Sequence, residues 1–331
     1  MNKGISEEFK RLYTYCGLNK NGDNIVAKIS DVNGWKKEYL GSFKKSYISE
    51  LEKPNSVRLL YCDPDTTYKK GFDHHFFEQL VNFLNKRECQ LKDKLKGEYE
   101  YIFEEGKGIK VNNESFYLKS DQLGFSAPTN EKVYPYDLYL MKSGDKDDAL
   151  EQVVNWIIGS RTIGGSFLWP ASFYEIYNMR RGGTIKSNRS HYIQDRVDLT
   201  LWEIYYWYNK NEKPTIMTKV KDKQAEKDLK KWLSHFKDFQ TYIDFFCLEE
   251  FSSKEKSIKD AIPSPINILS DKIEEPKWGE KGENPKIEIT SDVEFITIEG
   301  MLKRLNNKIL NRSKKMEQII SSECNKNSNT K

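Results

Sequence analysis

The residue pattern predicts an α+β fold in which an antiparallel sheet from the first half packs against a helical second half, and three observations carry that reading. Residues 98–125 read Y-E-Y-I-F-E, G-K-G-I-K-V and S-F-Y-L-K-S, separated by Gly106, Gly108 and Asn112-Asn113, which is the grammar of antiparallel hairpins. Residues 161–208 place an apolar strand-like run ending at Pro170, a glycine-punctuated basic segment and an apolar helix in direct succession. Stretches 226–250 and 291–320 then repeat apolar residues at helical spacing. No part of 1–250 has linker composition and each half lacks a complete core, so a single α+β domain is expected over 1–320. Within it, 252–286 is expected to be a mobile surface loop, and 321–331 a disordered tail.

The elements follow in order. Residues 5–18 suit a short helix capped by Ser6, with Phe9, Leu12, Tyr13 and Cys16 on one face. Strands are expected around 25–29, 35–40 and 57–62. Asp63, Asp65, Asp73, His74 and His75 come next, but adjacent histidines diverge on a strand or a helix, so turn and cap chemistry fits them better than a metal. Phe76, Leu80, Phe83 and Leu84 then predict a helix to about Lys94. A further helix is expected over 147–158, before the strand at 162–169. The 195–208 helix has Asp195 as N-cap, and Val197, Leu201, Ile204, Tyr205 and Tyr208 form one face. Trp202, Tyr206 and Trp207 lie on other sides, so this helix should be surrounded by protein. The longest helix is expected over 226–250, with Leu229, Trp232, Leu233, Phe236, Phe239 and Ile243 buried and a solvated lysine face opposite.

Composition bounds the function. Hydrophobic residues make up 37% and aromatic residues 13% of the 331, enough for a sizeable core, and a mean hydropathy of −0.77 predicts a soluble chain. The net charge of +4 is too small for a general nucleic-acid coat, so anion binding must come from a local patch. Nothing reads as a signal peptide, and no apolar run nears the roughly 20 residues of a membrane span, so no membrane partner is expected. Cys16, Cys62, Cys89, Cys247 and Cys324 contain no C-x-x-C pair, which predicts free thiols and a cytoplasmic protein. Abundant Lys, Asn and Ile suggest an AT-rich bacterial genome.

Several segments together resemble an uncharacterised bacterial family, a domain of unknown function. They are I-G-G-S-F-L-W-P (163–170), Y-N-M-R-R-G (177–182), I-Q-D-R-V-D-L-T-L (193–201), D-F-Q-T-Y-I-D-F-F (238–246) and L-N-N-K-I-L-N-R (305–312). D-P-D (63–65) and F-Y-L-K-S-D-Q-L-G-F (116–125) are weaker matches. The resemblance implies one bacterial α+β unit and brings no activity or cofactor. Segment 183–191 is longer than the family's usual link between R-G and the D-R-x-D-L-T helix.

The chemistry-bearing stretch is the basic loop. Arg180, Arg181, Lys186, Arg189 and His191 lie together without a carboxylate, beside Gly182 and Gly183, whose backbone can approach a ligand. Guanidinium groups grip phosphate bidentately. The expected function is therefore that of an enzyme acting on a phosphate-bearing substrate, a nucleotide or nucleic acid. Asn178, Arg180, Arg181, Lys186 and Arg189 would bind the ligand, and Asp195, Asp198 and His191 would act as acid/base or orienting groups. The alternative is a non-catalytic protein that recognises a protein or nucleic-acid partner. Asp198 is expected to be at least partly buried and paired with an arginine such as Arg180 or Arg181.

Overall fold

The computed structural model describes residues 75–112, 114–123, 152, 156, 163–172, 197–211, 223–254, 261–275 and 292–322. The elements expected over 5–62 lie outside these residues, as does most of the 147–158 helix, of which Gln152 and Trp156 are helical.

The first described helix, α1 (His75–Gln90), turns Phe76, Leu80, Phe83 and Leu84 into the core as their spacing predicts. A four-stranded antiparallel sheet follows: β1 (Tyr101–Glu104), β2 (Gly108–Val111), β3 (Tyr117–Gln122) and β4 (Ser166–Pro170), in spatial order 1-2-3-4. The α+β reading therefore holds, including the strand drawn from the middle of the chain. Pro170, which has no N–H to give a ladder, sits at the end of edge strand β4, opposite Leu118. Every residue of β4 is buried, so both of its faces are covered. At the other edge, Asn85 of α1 stands in for a missing strand. Its Oδ1 accepts from the Tyr101 N–H at 2.9 Å, and its Nδ2 donates to the Tyr101 carbonyl at 3.0 Å.

Helix α2 (Val197–Asn209) buries Val197, Leu201, Trp202 and Ile204 and half-buries Tyr205 to Tyr208, so it is surrounded by protein as expected. Its proposed cap, Asp195, lies outside the described residues.

The long helix expected over 226–250 is two helices, α3 (Lys223–Ser234) and α4 (Phe239–Phe245). The apolar stripe was legible, and all six of its residues are buried, but the break was not. Asp238 interrupts the helix with extended backbone, and its carboxylate accepts from the Thr241 N–H at 2.7 Å and the Thr241 hydroxyl at 2.8 Å, capping a new helix. The longest described helix is instead α5 (Asp292–Ser321), of 30 residues.

Segment 252–286, expected as surface loop, holds two two-residue strands, β5 (Ser252–Ser253) and β6 (Ser264–Pro265), and buries Ile266 and Ile268. Among the described residues no helix is long and apolar enough to cross a membrane.

Buried apolar side chains from Phe76 to Ile319 form one cluster around Trp169, Trp232 and Tyr242. A tryptophan such as Trp232 removes roughly 200 Å² from water, or about 5 kcal/mol gross at 25 cal/mol per Å². One polar joint crosses this core. The buried Arg312 guanidinium donates to the carbonyls of Phe246 (2.8 Å), Gly164 (2.6 Å) and Ser166 (2.7 Å). It thereby ties α5 to the end of α4 and to the 3-10 turn Ile163–Gly165 that starts β4.

The free-thiol expectation is corrected at one position. Cys89 is disulfide-bonded, whereas Cys247 is a free, buried thiol that burial pushes above its usual pKa. Sequence spacing reports only nearby cysteines, and pairing is decided by distance in space.

Candidate functional site

Asp228 is the feature that a stable core does not need. It immediately precedes Leu229 in the apolar stripe of α3, so the helix draws its carboxylate down beside the core, where it is 2% exposed. Ser172, just past the end of β4, donates its hydroxyl to Oδ2 at 2.5 Å, and Gln224, one turn earlier on α3, donates Nε2–H to Oδ1 at 2.6 Å. Both donors are neutral. Among the described residues no lysine or arginine pairs with this carboxylate, although a buried charge ordinarily needs an opposite one.

The carboxylate lines a cavity of about 520 Å³, within the size range of small-molecule sites. The β2–β3 hairpin lines it with Phe116, Tyr117 and Lys119, and the β1–β2 turn adds Lys107. Gly108 lets that hairpin close: its φ is +111°, and a Cβ there would fall 2.6 Å from the Leu118 carbonyl oxygen. At the rim, Glu104 accepts from the Tyr117 hydroxyl at 2.8 Å and pairs with Lys107 at 3.1 Å and Lys110 at 3.3 Å. The Tyr117 hydrogen bond, then Lys107, holds the Glu104 carboxyl down at about 2. The cavity wall thus carries a buried acceptor, a half-buried aromatic ring and two lysine side chains, of which Lys107 is paired with Glu104.

A second groove, of about 430 Å³, lies along α3, lined by Lys223, Glu226, Lys227, Lys230, Lys231 and Ser234. Lys230 pairs with Glu226 at 2.9 Å and Lys231 with Glu114, while Lys223 and Lys227 have no carboxylate partner among the described residues. This is the lysine face read from the sequence, and it is concave.

Of the residues expected to carry chemistry, Asp198 is the one the structure describes. It is 2% exposed, which meets the expectation of burial, and its Oδ2 accepts the Ile268 N–H at 3.2 Å, tying α2 to the segment after β6. Asn178, Arg180, Arg181, Lys186, Arg189, His191 and Asp195 lie outside the described residues, and with them the arginines expected to pair with Asp198.

Sequence reasoning singled out no role for Asp228. The available signal was its place at the margin of the apolar stripe with Gln224 four residues before it. A second buried cluster was missed entirely. Glu88 Oε1 lies 2.7 Å from His235 Nε2 and accepts the Tyr101 hydroxyl at 2.8 Å, while the Tyr99 ring stacks on His235 at 3.8 Å. Three distant segments meet there, and the cluster joins α1, β1 and the end of α3. Among the described residues no group of three or more metal-ligating side chains is present.

No curated protein and no solved structure matches the chain. A family model of unknown function matches residues 63–278, which include the first four of the five main motif segments and leave L-N-N-K-I-L-N-R (305–312) beyond its end. Since that match covers more than half of the 331 residues, the chain belongs to the family of unknown function DUF6994.

Proposed function

We propose that this protein binds a phosphate-bearing substrate, a nucleotide or nucleic acid, in the cavity beside Asp228, and acts on it as an enzyme. The observation that carries the reading is a buried carboxylate whose donors among the described residues are both neutral, on the wall of a cavity that two lysines also line. A buried carboxylate held by neutral donors lowers stability, and such groups cluster at functional sites. In this reading Lys107 and Lys119 attract the phosphate, and Asp228 takes hydrogen bonds from the ligand's hydroxyl or amino groups and serves as the base. The basic segment 180–191, which follows Ser172 in the sequence, supplies further cations. Asp195, Asp198 and His191 remain its proposed acid/base or orienting partners.

A thermal-shift panel of nucleotides and short oligonucleotides, with product detection by chromatography, tests this. A ligand of the folded state raises the melting temperature of the parent. Ala at Arg181 should reduce that shift, whereas Ala at the exposed Lys254 should not. Asp228→Asn should slow turnover by about 100-fold, the lower end of general acid–base contributions. Stabilisation without any product favours the non-catalytic binder, and no stabilisation by any phosphate compound refutes the proposal.

A further inference from the structure

We infer that the ligand is single-stranded nucleic acid, laid along the lysine face of α3 with one base entering the cavity beside Asp228; this rests on the ligand reading above. The groove and the cavity share no lining residue yet flank the same helix. Gln224 and Asp228 face the cavity, while Lys223, Lys227, Lys230 and Lys231 face the groove together with Glu226, which pairs with Lys230. The two are joined across the hairpin as well, because Glu114 holds Lys231 of the groove and its neighbour Ser115 lines the cavity. A mononucleotide would leave Lys223 and Lys227, which have no carboxylate partner among the described residues, unused.

Single strands are held by a cationic groove that follows the backbone and by aromatic rings on which bases stack. Both parts are here, the second in the half-buried Tyr117 ring beside Phe116. An acidic peptide would satisfy Lys223 and Lys227 but would bring carboxylates toward Asp228, whereas a base or ribose brings N–H and O–H donors that it can accept. The groove is one helix face, whose cations can follow one backbone.

The test is fluorescence anisotropy of a labelled oligothymidylate of about 12 nucleotides, a length within single-strand site sizes, on the full chain. Lys227→Glu with Lys230→Glu should weaken binding at least about tenfold and flatten its salt dependence by about two contacts. The same pair should leave the thermal shift by a mononucleotide unchanged. Lys227→Glu alone, at an exposed position, should give a smaller loss in the same direction with an unchanged melting temperature, which separates the effect from misfolding. Equal oligonucleotide affinity in parent and double variant overturns the inference. So does equal competition by polyglutamate, which would mark an acidic protein partner. A mononucleotide that stabilises the parent while the oligonucleotide binds no better removes this inference and leaves the proposed function standing. If neither ligand binds, both fail.

Discussion

Asp228 and Arg312 show two fates of a charge carried into the core. Arg312 donates to three backbone carbonyls, and burial brings its pKa down to about 10. It does structural work, joining α5 to β4. Among the described residues Asp228 has two neutral donors, and a cavity lies in front of it. Glu104 is a third case, an accessible carboxylate whose partners favour its charged form. Folding lowers its pKa from the usual 4.5 to about 2, chiefly through the Tyr117 hydroxyl and then Lys107. Between those values the unfolded chain binds more protons than the native one, so stability falls as the pH drops. The contribution is fully present above about 4.5 and lost as the pH falls through about 2. Urea midpoints of the parent and Glu104→Gln should therefore differ most near neutral pH and converge toward about pH 2. A constant gap across that range would show that Glu104 acts through packing rather than charge.

At the scale of elements, the decisive contact lies between the Gly-Gly turn before β4 and α5. A Cβ on Gly164 would sit 2.0 Å from the Ser313 hydroxyl oxygen, 2.5 Å from the Ser313 nitrogen and 2.6 Å from its Cα. The helix backbone itself therefore touches the turn, which is why a glycine stands there. Gly164→Ala must push α5 away and strain the Arg312 bond to the Gly164 carbonyl, at a cost of about 3 kcal/mol, the upper part of the usual overpacking range. Chemical denaturation measures it. Adding Ser313→Gly should restore only part of the loss, because the backbone atoms of residue 313 remain in the way. Full rescue would mean that the side chain alone sets the spacing. The same joint gives physical content to three of the segments singled out in the sequence. I-G-G-S-F-L-W-P supplies the turn, D-F-Q-T-Y-I-D-F-F supplies the Phe246 carbonyl, and L-N-N-K-I-L-N-R supplies Arg312.

For the whole molecule, the proposal is one domain over 1–320, supported by a single apolar cluster that takes residues from α1 near its start and α5 at its end. Limited proteolysis should cut first within 252–286 and after residue 321. An early cut between 140 and 160 that releases two stable halves would overturn the single-domain reading. The burial of Ile266 and Ile268 confines early cuts in 252–286 to either side of them.

The sequence alone determined the α+β class, the hairpins over 98–125, the strand ending at Pro170 and the apolar stripes of α1, α3 and α4. Each follows from a period of two or 3.6 residues and a few turn signals, which are local properties. Only the tertiary structure decided the rest. It broke the expected 226–250 helix, because a side-chain cap at Asp238 outweighed a continuous apolar period. It also brought Ser172, Gln224 and Asp228 to one cavity wall and Glu88, Tyr101 and His235 to one buried cluster. Such sites are made of residues far apart in the chain, and whether a carboxylate is paired, hydrogen-bonded or left facing a cavity depends on burial and distance, which spacing along the sequence does not encode.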